Sequence, residues 1–548
     1  MSDIIRREDF KVLIVYPNLT MMLVPALSIG IFTGILKKQK YQVSLFDTTH
    51  YMAEENSSPQ NRVKFLQARK FDETNDMGVR IKTDLIGDFI NTIESLKPNL
   101  ILYSVVEDCY RQTLSLMSAI KEFEIPHLVG GVFPTAVPEV CIDNDLIKMI
   151  GIGEGEKIIV DVAEAIRLKK SIENIHGTWV KTDGGIIKNP RDMITSIHNS
   201  VPDYSLFDAA RFNRPMGGRI FRTIPVETYR GCPFQCTYCN SPMQTEKARE
   251  SNIGNYLRRK NMDDLRDEIN QLVEKYTPQF LYFIDDSFTA RPKDEVFAFC
   301  DMYQEFGLPF WFNTRPETTT PGMMKRLKEV GIYRISFGIE AGNEQYRKKV
   351  LRRNGTNDQL KKVFDEIADS EIPFSLNLII GMPGETRDLI MDTINFTRTI
   401  RGFDTVTVSI FTPYHGTVLR KIAVNNGWLD KNYITKHTTS SSALNMPSPY
   451  LSSKDIDGLM RVIPLYIYFP ETEWENIRKA EIPNKEGNEA LDYYSQIYRR
   501  DFLKETHDDK KIYVDGATGC KSNPKDSFRI NYESPIRIGQ DDMSLLTL

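Results

Sequence analysis

Twice along this chain, short apolar runs alternate with amphipathic segments of helical period, and that alternation restricts the fold more than any other feature. Strand and helix in strict alternation build a parallel sheet, because each helix carries the chain back to the same edge. In the first block the strand-like runs are Val12–Tyr16, Tyr41–Phe46, Asn99–Val106, His127–Val129 and Lys148–Ile152. Helical patterns lie at Ala26–Lys38, Arg80–Leu96, Tyr110–Phe123 and Glu156–Leu168. The polar stretch Glu54–Phe71 reads as a loop excursion. In the second block the runs are Val226–Tyr229, Phe280–Ile284, Phe310–Asn313, Arg334–Phe337, Ser375–Ile380 and Thr405–Phe411. Helical patterns near Asp263–Tyr276, Lys293–Phe306, Met323–Val330, Asp358–Ala368 and Asp388–Ile400 separate them. Sheets and barrels of this kind bind ligands at the carboxyl ends of their strands.

Between the blocks, Gly177–Lys181 and Ile186–Lys188 flank Asp183-Gly184-Gly185 and predict a hairpin, with a polar linker over Asn189–Asp208. Beyond Val418 helices are expected at Ser453–Tyr468, Trp474–Glu481 and Ala490–Lys504, then a polar tail after His507. The expected class is α/β. A flavodoxin- or Rossmann-like parallel sheet occupies 10–170, and the hairpin and linker 171–224. A partial (β/α)6 TIM-like barrel occupies 225–417, and a mostly helical extension with the polar tail 418–548.

Composition removes several classes of function. Hydrophobic residues are 41% and charged residues 26%, which excludes a disordered chain. Lys plus Arg total 70 against 74 Asp plus Glu, a net charge of −4, so no broad nucleic-acid surface is expected. Val12–Leu36 is uncharged over a membrane-spanning length, but Pro17, Asn18 and Pro25 break it into strand, turn and helix. The reading is a cytoplasmic protein without a membrane span. Seven cysteines are too few for a disulfide scaffold, yet Cys232, Cys236 and Cys239 fall within eight residues, which points to metal chemistry in a reducing compartment.

Those three lie in Arg230-Gly231-Cys232-Pro233-Phe234-Gln235-Cys236-Thr237-Tyr238-Cys239-Asn240, directly after the first strand of the second block. Three thiolates on one loop hold either an iron–sulfur cluster or zinc. Structural zinc takes four protein ligands, and the closest histidine, His198, is 34 residues upstream. A redox reading of Cys236-Thr237-Tyr238-Cys239 leaves Cys232 without a role. Three ligands on a four-iron cluster leave one iron open. Cys300 reads as core, and Cys109, Cys141 and Cys520 are scattered.

The Cys-x3-Cys-x2-Cys spacing, with Tyr238 before the last cysteine, resembles the radical S-adenosylmethionine (SAM) superfamily. The resemblance implies a [4Fe-4S] cluster whose open iron chelates SAM. One electron then cleaves SAM to methionine and a 5′-deoxyadenosyl radical. It further implies SAM contacts at Ser336, Gly338 and Glu340 in Ile335–Asn343, at Asp285 in Phe283–Phe288, and at Arg315. Asp285-Asp286 departs from the family's Gly-Gly-Glu element. For Glu340 the alternative is an inward salt bridge, and for Arg315 a surface ion pair. Leu378–Thr386, with its Pro383-Gly384 turn, occupies the family's adenine-packing position. Phe411–Thr417 resembles its Pro-x-x-Gly-Thr element, and His415 there reads as an exposed loop histidine rather than a proton donor.

Val129–Thr135, Pro138-Glu139 and Gly151–Glu156 resemble the cobalamin-binding domain that precedes many such barrels. The resemblance implies cobalamin contacts at Gly130, Gly131, Gly153 and Glu154, in a crevice shared with Tyr16-Pro17-Asn18 and Ser104–Glu107. The Asp-x-His-x-x-Gly motif is missing, since Asp47-Thr48-Thr49-His50 has the wrong spacing, so no protein histidine is expected on cobalt. The whole resembles a cobalamin-dependent radical SAM methyltransferase. A small-molecule or peptide substrate and a reductant such as flavodoxin or ferredoxin go with it. The alternatives are a radical SAM cyclase, oxidase or rearrangement enzyme, or a non-catalytic iron–sulfur redox or binding protein. Tyr466 and Tyr468 read as a packing stripe in preference to a pocket lining.

Overall fold

The computed structural model describes residues 4–20, 24–52, 60–194, 196–197, 201–436 and 441–505. His198, Cys520 and the polar tail lie outside the described residues. The N-terminal sheet comprises β1 (Lys11–Tyr16), β2 (Gln42–Asp47), β3 (Leu100–Ser104), β4 (His127–Gly130), β5 (Met149–Gly151), β6 (Thr178–Thr182) and β7 (Gly185–Lys188). Their order is β2-β1-β3-β4-β5-β6-β7. The first five run parallel, and the β6–β7 hairpin joins antiparallel to β5. β1, second from the sheet edge, is covered on both faces. Val12 and Ile14 enter one core cluster, Leu13 and Val15 the other.

The second sheet comprises β8 (Asn213–Met216), β9 (Arg219–Val226), β10 (Phe280–Phe283), β11 (Phe310–Thr314), β12 (Ile332–Glu340), β13 (Phe374–Ile380) and β14 (Phe403–Ile410). The strands neighbour one another in chain order. β9 to β14 are parallel and curl into a half-barrel, and β8 pairs antiparallel on the outer edge. Along β12, Ile335, Phe337 and Ile339 pack outward under the helices. Ser336 points inward, bonded to Ser375 and to Trp311. The α/β class and the six parallel barrel strands are those the sequence predicts. One boundary differs. The first barrel strand was expected at Val226–Tyr229, but β9 ends at Val226 and starts at Arg219. The chain enters it through Gly217-Gly218, whose φ values of +59° and +90° make a two-residue hairpin turn.

The edges β8 and β14 do not pair, and the excursion after β2 bridges the gap. Gln67 accepts a hydrogen bond from Val408 N–H of β14 at 3.1 Å. Farther along, Met77 O accepts from Asn213 Nδ2 of β8 at 2.9 Å. Met77 and Val79 pack with Ala210, Phe71 and Ile220. The N-terminal domain therefore supplies a side wall to the barrel.

The C-terminal helices Ser453–Tyr468, Trp474–Lys479 and Lys485–Asp501 pack outside. The first lies on helix Arg387–Thr399 and on β14. Tyr466 donates to Glu481 at 2.6 Å, and the Tyr468 ring meets Tyr498 and Phe502, so both tyrosines pack rather than line a pocket. No helix among the described residues is long and apolar enough to cross a membrane.

A branched residue at Gly217 would be forced into left-handed backbone, with its Cβ 3.2 Å from the Tyr333 ring. Gly217→Val is expected to destabilise the fold by about 1–2 kcal/mol, seen as a lower Tm.

Candidate active site

The three cysteines hang from the loop Glu227–Cys239 that follows β9. Asp285, two residues beyond β10, sets the start of that loop. It accepts from Thr228 N–H at 2.8 Å, Tyr229 N–H at 3.1 Å and Arg291 Nη2 at 2.6 Å. In the structure this carboxylate positions the loop. Asp286 turns toward the cysteines, accepting from Ser241 Oγ at 2.8 Å. Helix Ser241–Glu250 starts two residues after Cys239, and its first N–H donates to Cys239 Sγ at 3.4 Å. Thr237 anchors the middle of the loop by donating to Val350 O at 2.7 Å.

A chain of alternating charges backs the loop. Arg315 Nη1 donates to Cys236 Sγ at 3.4 Å, and its guanidinium lies 3.7 Å above the Phe234 ring. Arg315 pairs with Glu317, Glu317 with Arg353, and Arg353 with Glu340, at 3.1, 2.9 and 2.9 Å. Arg315 is buried, so its partner is not a surface ion pair. Burial alone would raise the Glu317 carboxyl, but Arg353 and Arg315 hold it down to about 2. Burial pushes Glu340 up, against Arg353. Arg353 also donates to Gly338 O at 2.7 Å. Arg353 and Glu317 carry no motif of their own; the fold alone brings them here.

Ser336, Gly338 and Glu340 share the inner face of β12. Glu340 has φ +66°, a strained value for a residue with a side chain. Its carboxylate folds back over the strand, where a Cβ on Gly338 would stand 2.2 Å from Oε1. Glycine at 338 is therefore what lets Glu340 reach Arg353. Trp311 Nε1 donates to Ser336 Oγ at 2.9 Å. In the next strand-end loop, Glu385 accepts from Gly381 and Met382 N–H at 2.6 and 3.1 Å. Burial pushes its carboxyl up to about 8.

The N-terminal sheet presents its carboxyl edge to these loops. Glu107, beyond β3, accepts from His415 Nδ1 at 2.8 Å, from His415 N–H at 2.9 Å and from Thr435 N–H at 2.9 Å. His415 is buried and packs on Phe133, contrary to the exposed loop histidine expected. The loop is expected to be exposed only when its own domain is considered, and the other domain covers it. Tyr414 donates to Asp108 at 2.9 Å, and burial lifts the Asp108 carboxyl to about 6. Glu154, beyond β5, is held by Arg230 and Arg258 of the barrel. Gly131 has φ +114°, and a Cβ there would stand 2.5 Å from Val105 O, so close loop packing requires it. Gly153 donates to Thr135 Oγ1 at 2.9 Å. A Cβ on Gly130 would meet nothing nearer than 4.0 Å. Beside it Val106 and Val132 are 41% and 39% exposed, an open apolar surface. Asp108 Oδ1 and Tyr110 Oη are buried and have no hydrogen-bond partner among the described residues.

The cysteines fit an iron–sulfur cluster by their donors. Cys232, Cys236 and Cys239 are free thiols, and their charges bear on one another. Burial pushes Cys232 to about 11 and Cys239 to about 12, so ligation by iron displaces protons. The Arg315 and Ser241 N–H groups already aim at two of the sulfurs. Among the described residues no three His, Cys, Asp or Glu side chains converge on a single ion.

Residues 226–397 match the family model of the Radical SAM superfamily. The chain is 26% identical over 352 residues to an uncharacterized methyltransferase of Pyrococcus horikoshii, covering 62% of this chain and 72% of that protein. It is 21% identical over 497 residues to the cytidylyl-2-hydroxyethylphosphonate methyltransferase of Streptomyces wedmorensis, covering 80% and 87%. It is 23% identical over 319 residues to the anaerobic magnesium-protoporphyrin IX monomethyl ester cyclase of Rubrivivax gelatinosus, covering 56% and 55%. Among solved structures, the cobalamin-dependent S-adenosylmethionine radical enzyme OxsB shares the fold with a TM-score of 0.58 at 15% identity, over 95% of this chain and 78% of that one. The radical S-adenosylmethionine methyltransferase TsrM of Kitasatospora setae does so with a TM-score of 0.55 at 16% identity, over 76% of each chain. The chain carries a Radical SAM superfamily region at 226–397, with an N-terminal α/β domain ahead of it. It is a radical SAM enzyme, which implies a [4Fe-4S] cluster and SAM as its cofactors.

Two predictions follow from this geometry. Arg353→Met leaves Glu340 buried without its cation and Glu317 with Arg315 alone, and is expected to cost about 3–5 kcal/mol, measured by denaturant unfolding. Glu385 favours the folded state while protonated. Its contribution is full below the unfolded carboxyl pKa of about 4.3 and is lost as pH rises toward 8. Glu385→Gln should therefore flatten the fall of Tm between pH 5 and pH 8.

Proposed function

We propose that this enzyme transfers a methyl group to an unactivated carbon, using cobalamin bound between the N-terminal sheet and the barrel. The observation that carries the reading is the docking of two carboxyl edges. Glu107 enters the barrel's last strand-end loop, and Glu154 holds the cysteine loop through Arg230. Both ligand-binding edges therefore line one seam, with the open surface of Gly130, Val106 and Val132 beside it. The methyltransferase relatives and the two solved neighbours support the same reading.

When bound, the cluster supplies the electron that cleaves SAM, and cobalamin carries the methyl group. The chain's residues position and exclude. Cys232, Cys236 and Cys239 would ligate iron, and Arg315 would donate to the sulfur of Cys236. Glu340 and Ser336 offer acceptors to the SAM amine or ribose, and Gly338 leaves room for the Glu340 carboxylate over the strand. Gly130, Val106 and Val132 would face the corrin ring, while Gly131 and Gly153 shape the loops around it and Glu154 secures the seam. The substrate is a small molecule or peptide, and the reductant a flavodoxin or ferredoxin. The Rubrivivax gelatinosus cyclase favours a second reading, ring formation without methyl transfer.

Protein produced with a cobalamin supply and reconstituted without oxygen is expected to hold four irons and one corrinoid per chain. Labelled SAM should then pass its methyl group to product while deoxyadenosine is released. A full cluster without corrinoid, even after refolding with cobalamin, would overturn the proposal. Deoxyadenosine release with an unmethylated product would favour ring formation.

A further inference from the structure

Thr237 ties the middle of the cysteine loop to two segments that carry exposed cations. Its N–H donates to Leu351 O at 3.4 Å and its Oγ1 to Val350 O at 2.7 Å. Its own carbonyl accepts from Leu419 N–H at 3.0 Å. Thr237 N is bonded to the carbonyl carbon of Cys236, and Leu351 is bonded to Arg352. One hydrogen bond therefore separates the covalent path of a cysteine from that of Arg352. Arg352 is exposed, while Arg353 beside it is buried. Lys421, two residues past Leu419, is exposed as well.

Arg352 has φ +55°, just past the end of helix Glu344–Lys349, a left-handed position that glycine or asparagine fills by default. Arg353 N–H closes the turn on Arg347 O at 3.0 Å. The exposed arginine thus bears a backbone cost, and no carboxylate among the described residues pairs with it, so no ion pair of the fold explains its charge. Residues 344–354 hold five basic side chains and one acid, Glu344, in a chain of net charge −4. Glu344 is taken up by Lys348 and by Asn357 N–H, each at 2.8 Å. Arg347 and Arg353 are buried, which leaves Lys349 and Arg352 exposed. Lys421 likewise has no carboxylate partner among the described residues. These cations are too few for a nucleic-acid backbone, and suit the small, charge-steered contacts of electron-carrier proteins.

We propose that Arg352, with Lys349 and Lys421, forms the docking surface for an acidic one-electron carrier protein of the flavodoxin kind, which reduces the cluster by way of the Leu351–Thr237 hydrogen bond. The anionic flavin hydroquinone gives up one electron and becomes the neutral semiquinone. The [4Fe-4S]2+ cluster takes that electron and becomes [4Fe-4S]+, and no proton or leaving group moves. This rests on the reading of Cys232, Cys236 and Cys239 as cluster ligands, and it names the reductant's place on the chain. The carrier then need not enter the seam between the two domains.

The test is the rate at which reduced flavodoxin bleaches the cluster of the anaerobically reconstituted full chain, followed by stopped-flow absorbance. Arg352→Glu is expected to lower the second-order rate constant about tenfold at low ionic strength, and the gap should close as salt is raised. Arg352→Gly, which the left-handed backbone accepts, should lose rate in the same direction, and Arg352→Lys should keep it. Lys421→Glu should also slow the reaction. Lys170→Glu, beyond the end of helix Ile158–Arg167 in the N-terminal domain, makes the same change in net charge and should not. Dithionite, which needs no docking surface, should reduce the cluster to the same extent in every variant, with the same paramagnetic resonance signal. A flavodoxin rate unchanged in both Arg352→Glu and Lys421→Glu, or indifferent to salt, would overturn the surface. Loss of the dithionite-reduced signal in Arg352→Gly would overturn it too, because the arginine would then support the cluster itself. No methyl transfer is read, so failure of the surface leaves the proposed reaction standing. A chain that is reduced through Arg352 yet binds no corrinoid would keep the surface and remove the methyltransferase reading.

Discussion

Arg230 joins the two halves of the molecule. It lies two residues before Cys232, and its guanidinium is shared by Glu227 of its own loop and by Glu154 and Glu156 of the N-terminal domain. All four side chains are largely shielded from water, where breaking such a network is far more costly than at the surface. The cysteine loop cannot shift without disturbing the strand end that carries Glu154. The geometry of the cysteine loop and the domain orientation are one constraint in this protein.

The same logic runs along the barrel mouth. Arg315, Glu317, Arg353 and Glu340 alternate in sign, so each buried charge has an opposite neighbour on its path from the cysteines to β12. Such chains tolerate burial only when complete. The strained backbone of Glu340 is held in place by this pairing, which sets its carboxylate at the end of the strand. A preorganised acceptor at a strand's carboxyl end is what binding an amine or a ribose requires.

The alternating apolar runs made both sheets legible, because a strand covered on two faces has few other ways to be written. The cysteine loop was legible for a different reason, since its three thiols fall within eight residues of the chain. What escaped depended on distant contact or turn chemistry. The Gly217-Gly218 pair marks the hairpin into β9, yet its flanks carry Pro215 and several arginines and read as linker. Glu54–Phe71 is polar and reads as a loop, and its part from Gln60 onward walls the barrel because only the folded chain brings Gln67 to β14. His415 reads as exposed because the Glu107 that buries it is 308 residues away. Arg353 belongs to no recognisable pattern and is found only by following the carboxylates it neutralises.

The central claim is that Cys232, Cys236 and Cys239 hold a four-iron cluster with one iron left open to SAM. The most direct measurement is electron paramagnetic resonance of the reduced, anaerobically reconstituted protein with and without SAM. The account predicts a [4Fe-4S]+ signal whose g-values shift when SAM is added, and the loss of that signal in Cys236→Ala. A reduced cluster whose spectrum is indifferent to saturating SAM, or bound zinc in place of iron, would contradict it.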